Sequence, residues 1–137
     1  MNNYEELLTE ATNSGLTVKE KNLISADGRI SGDRIAIRKS IVTQAEKACA
    51  LAEELGHHYT SVGNIIDLHD MENRKQEYRA RLWAYNRQIG LHGLIAAYKA
   101  GCSSQYEIAE YLNVTEEFLL EAIHIFIICI LKAQCHA

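Results

Sequence analysis

Residues 51–60 read LAEELGHHYT. On an α-helix turning about 100° per residue, Glu53 and His57 are i and i+4 and lie one above the other on a single stripe. Glu54 sits about 60° around from His57, within reach of a water held by that pair. The H-E-x-x-H helix of zinc hydrolases uses this geometry: positions one and five hold the metal, and the glutamate at position two is the general base. Here Glu53 stands in the place of the first histidine.

A catalytic zinc takes three protein ligands and leaves one position open for water. Glu77 is the third candidate. Ala80 and Ala84 lie at i+3 and i+7 from it, with Trp83 flanking, so its carboxylate is expected to look toward a small-residue packing face. Its charge there needs compensation, which a metal would supply. Plainer roles stand beside these. Glu53 and Glu54 fit a solvated helix surface, His57 a surface or capping group, and Glu77 an i,i+4 partner for Arg81 worth about 0.3–0.5 kcal/mol. Other donors are near. His58 points about 100° away from His57, Cys49 lies one turn before Glu53 in a stretch that reads as packing, and His69 falls between the two helices.

The elements that must position these groups follow from periodicity. Tyr4, Leu7, Leu8 and Ala11 give a short amphipathic helix over 3–14 that stops at Gly15. LTV (16–18) reads as a strand, and GRISGDRIAIRKSI (28–41) as a hairpin turning at Ser-Gly-Asp, so a three-stranded sheet is expected. Thr43 with Glu46 three residues on is a capping box opening a helix from about Gln44 to Tyr59. A loop of about eight residues and a helix over 72–90 come next, then LHGLIAAYKAG, SQYEIAEYLNV and TEEFLLEAIHIFIICILKAQ as three more helices. The fold class expected is α+β and mainly helical. No proline interrupts the chain.

The hairpin GRISGDRIAI, the helix AEKACALAEELGHHY and the helix RKQEYRARLWA, in that order and spacing, resemble the ImmA/IrrE metallopeptidases of bacteria and their mobile elements. Glu77, Ala80, Trp83 and Ala84 match that family's E-x-x-A-x-x-aromatic-A pattern. The resemblance covers roughly residues 15–120. It implies a small sheet packed on zincin-like helices, a peptidase core over 1–100 and a helical extension over 101–137 packed on it. It implies Glu54 as general base, His57 and Glu77 as metal ligands, and an edge strand of the hairpin beside the cleft, where an extended substrate could add as a strand. Glu53 departs from the pattern. A carboxylate binds zinc at an ordinary ~2.0–2.2 Å, but two carboxylates and one imidazole leave the metal less positive charge. Its water is then harder to deprotonate, and preference shifts from zinc toward harder ions such as manganese.

At 137 residues the chain is sized for one domain. Its four cysteines form no C-x-x-C pair and MNNYEELLTE has no signal-peptide character, so reduced thiols in a cytoplasmic protein are expected. The longest apolar run, AIHIFIICIL, is too short to span a bilayer. The net charge of −4 resides in residues 103–137, while residues 1–102 balance at 13 acids against 13 bases. SQYEIAEYLNVTEEFLLEAI has the rhythm of a helix-turn-helix, yet its second helix begins with acids where phosphates would be met, so no direct nucleic-acid binding is expected. The final helix, apolar nearly all round, should be buried or join copies of the chain as a homo-oligomer. Two functions follow. One is a metal-dependent endopeptidase whose substrate, by the resemblance, is a helix-turn-helix transcriptional repressor of a prophage or mobile element. The alternative is a non-catalytic anti-repressor on the same scaffold, which Glu53 favours; the intact Glu54, His57 and Glu77 favour the endopeptidase, which is the function expected from the sequence.

Overall fold

A computed structural model of the protein describes residues 2–60 and 70–135. Helix α1 (Asn3–Asn13) leads into β1 (Thr17–Lys21), β2 (Gly28–Ser31) and β3 (Arg34–Arg38), and then α2 (Gln44–Thr60) and α3 (Asp70–Gln88). Three shorter or later helices follow: α4 (Gly90–Lys99), α5 (Gln105–Leu112) and α6 (Glu116–Cys135). The class is α+β and mainly helical, as the periodicity predicts. The expected loop, with His69, falls at 61–69, outside the described residues.

Local signals set the helix starts. Asn2 accepts from the Glu5 amide and Glu5 reaches back to the Asn2 amide, a reciprocal cap. The Thr43 hydroxyl accepts from the Glu46 amide at 3.1 Å, Ser104 from Glu107 and Thr115 from Phe118. Between α5 and α6 the chain turns at Asn113, whose φ of 58° is left-handed and closes α5.

The sheet order is β1-β3-β2, with β1 parallel and β2 antiparallel to the central β3. Strand β1 runs on to Lys21, past the expected end at Val18, because pairing as far as Lys21–Arg38 does not require that edge strand to be apolar. Ile35 and Ile37 of β3 point into the core, which also gathers Leu7 and Ala11 of α1, Leu51 and Leu55 of α2, and Phe118, Leu119 and Ala122 of α6. One core thus draws on the first helix and the last. The Asn3 side-chain amide donates to the Leu112 carbonyl at 2.8 Å, joining positions 109 residues apart. Beyond Ala122, α6 leaves Ile127, Ile130 and Leu131 about half exposed. No helix among the described residues is long and apolar enough to cross a membrane.

Candidate functional site

The site begins with how closely two helices approach. Ala52, Ala80 and Ala84 are fully buried at the contact of α2 with α3. A Cβ added at Gly56 would overlap the Ala80 carbonyl. The seam therefore fixes Glu53 and His57 on α2 against Glu77 and Arg81 on α3. A second glycine sets the opposite wall: a Cβ at Gly28 of β2 would lie 2.9 Å from Glu54 Cγ, so glycine lets the strand come this near without displacing the Glu54 side chain.

Between these walls lies a cleft of about 850 Å³. Glu53, Glu54, His57 and Glu77 all line it, as does Arg81. Arg29 of β2 and Thr115, Phe118 and Glu121 from the α6 end complete it. The helical C-terminal third is thus part of the wall, which the sequence reading did not anticipate. Glu121 is held by Tyr85, whose hydroxyl donates to it at 2.8 Å. The three-residue step from buried Phe118 to Glu121 was the available signal, since it places the two on neighbouring helix positions.

Burial pushes the carboxyls of Glu53 and Glu54 up to about 7. For Glu53, Arg81 partly opposes that shift while Glu77 and Glu121 add to it. For Glu54, the charge of Glu53 adds most after burial. Desolvation and crowding of like charges favour the neutral acids here. Cys49, at the cleft floor, is buried and its thiol is pushed up to about 12, chiefly by burial. It is a packing residue.

Glu77 is engaged on both oxygens. Its Oε2 lies 3.1 Å from His57 Nε2 and its Oε1 lies 3.4 Å from Arg81 Nε. The expectation of a carboxylate facing a packed core needs correction. Ala80 and Ala84 are buried, but the Glu77 side chain is 45% exposed because it bends into the open cleft. His58 is exposed and stacks edge-on with Tyr59. The Tyr59 hydroxyl bonds Ser14, just past the end of α1, and Tyr78 faces Cys129. Neither tyrosine lines the cleft.

A family model described as the IrrE N-terminal-like domain, of the peptidase M78 family, matches residues 8–124. The chain belongs to that family. No curated relative and no solved structure gives a match. The M78 match carries the resemblance read from the hairpin and two helices, and it spans α5 and the first turns of α6 as well.

Membership in the M78 family implies a metal, and the donor set tests that implication. His57 and Glu77 meet, but Glu53 does not join them. Among the described residues no three His, Cys, Asp or Glu side chains are grouped to hold an ion. A guanidinium, that of Arg81, already neutralises part of the acidic charge. The described residues do not fit a three-ligand metal centre.

Proposed function

We propose that this M78-family chain is a protein-binding module that takes an extended segment of another protein into the cleft without metal-dependent hydrolysis. The observation that carries this reading is the engagement of Glu77 by both His57 and Arg81, while Glu53 fills the first-ligand position without joining them. Strand β2 supports the mode of binding. Among the described residues it pairs only with β3, and its other edge borders the cleft, where an added strand finds free backbone groups. The family resemblance points to a helix-turn-helix transcriptional repressor as the protein bound, with repression relieved by sequestration.

A second reading, metal-dependent endopeptidase, is favoured by one observation: Glu53, Glu54, His57 and Glu77 share a single cleft. Metal content separates the two. Protein purified without chelator, then incubated with zinc or manganese and desalted, is expected to carry no metal above background. About one equivalent of metal, lost in His57→Ala, would establish the endopeptidase reading instead.

A further inference from the structure

The sheet presents a second surface with chemistry opposite to the cleft's. Residues 17–39 carry six bases and three acids, although the whole chain is at −4. Strand alternation sorts them by face. Ile35 and Ile37 point into the core with Val18 and Ile30 packed beside them, so Lys19, Lys21 and Arg34 stand on the outer face, with Arg29 at its border with the cleft.

The acids of this segment do not neutralise that face. Glu20 pairs with Lys47 of α2 and Asp27 with Arg38, and the third acid, Asp33, sits at the β2–β3 turn beside Arg34 with no ion pair among the described residues. Among the described residues, Lys19, Lys21, Arg29 and Arg34 have no carboxylate partner within ion-pair distance. The register arrays them: Arg29, Ala36 and Lys19 form one row across the sheet, and Ser31, Arg34 and Thr17 form the next. With strands about 4.8 Å apart, Arg29 and Lys19 rise about 10 Å apart over the small Ala36. The result is a groove of about 460 Å³ with cations along its sides and two hydroxyls at one end. An anion laid between the two rows would be attracted from both sides.

We propose that this outer face is a binding surface for the phosphodiester backbone of duplex DNA, held without sequence readout. The face offers Arg, Lys, Ser and Thr, the groups that contact phosphates. It exposes no large apolar or aromatic side chain, so a protein partner would find no apolar centre to bury and an unstacked base no ring to stack on. The expectation of no nucleic-acid contact came from acids on α6; the cations belong to another element and lie on the sheet.

Fluorescence anisotropy of a labelled duplex of arbitrary sequence, about 20 base pairs long, titrated with the full chain tests this. Four phosphate contacts give a slope of log affinity against log salt of about −3.6, so going from 50 to 200 mM salt weakens binding by about 150-fold. Lys19→Ala with Arg34→Ala is expected to reduce the slope to about −1.8, with circular dichroism unchanged because both side chains are exposed. Lys21→Ala alone should lower the slope by about 0.9, and Lys99→Ala on α4 should leave it unaltered. Absence of binding at 100 µM protein in low salt would overturn the proposal. So would a double variant that binds like the parent, or tighter binding to polyglutamate than to the duplex.

Discussion

Helix α2 shows two faces that obey different rules. Toward α3 it presents Ala52 and Gly56, packed so closely on Ala80 and Ala84 that one added carbon meets backbone. Toward the cleft it presents Glu53, Glu54 and His57 around open volume, with both carboxyls pushed up to about 7 by burial and by neighbouring acids. The seam specifies shape and tolerates little. The cleft specifies chemistry and tolerates exchange, because a side chain facing open space can change without moving its neighbours. A chain can therefore keep its family's shape while the first histidine of the motif becomes Glu53.

The contrast predicts a graded series. Gly56→Ala should cost about 3 kcal/mol, since a backbone carbonyl cannot move aside and overpacking outweighs the roughly 1 kcal/mol gained in helix propensity. Urea denaturation would show it, and a stability equal to the parent's would mean the seam is softer than drawn. Glu53→His restores the family's first ligand position. It should confer zinc binding, read as a gain of about 2.7 kcal/mol in unfolding free energy at zinc a hundredfold above its dissociation constant. A variant that still ignores zinc would locate the defect elsewhere in the cleft.

Acidity comes next. Glu53 and Glu54 have folded values near 7 against an ordinary 4.5, so their contribution is fully present below pH 4.5 and lost as pH rises through 7. Stability should fall by about 2 kcal/mol between pH 5 and 8, a figure below the sum of two separate shifts because the Glu53 charge is itself part of the Glu54 shift and both carboxyls are only partly buried. Glu53→Gln should flatten part of that slope and be the more stable protein at pH 8; thermal melts across this range would decide. Tyr85→Phe, which removes the bond holding Glu121, should cost about 1 kcal/mol. Arg81→Ala ends the series. Its exposed pair with Glu77 is worth under about 0.5 kcal/mol, so its melting temperature should barely change.

Much of the scaffold was legible because its signals are local. Thr43 announces α2, Gly15 stops α1, and the i,i+4 spacing of Glu53 and His57 places them on one stripe. The parallel pairing of β1 with β3 was not legible, since nothing within Thr17–Lys21 names its partner. Nor was the direction of Glu77: its alanine neighbours do pack, but a long side chain at the margin of that face can turn into an adjoining space. The cleft's third wall was hidden for a similar reason. Glu121 meets Glu53 only through the packing of α6 on the body, a relation between residues 68 positions apart. Arg81 was read only as an i,i+4 partner, yet the fold also brings it toward Glu53.

The Asn3–Leu112 bond and the shared core of α1 with α6 also bear on when this protein can fold. At a synthesis rate of roughly 5–20 residues per second, α1 waits on the order of 5–20 s for its partner in α5 to emerge. During that interval the Asn3 side-chain amide lacks its acceptor. Contacts of such long sequence separation form late and slowly. That bond can therefore close only after most of the chain has emerged.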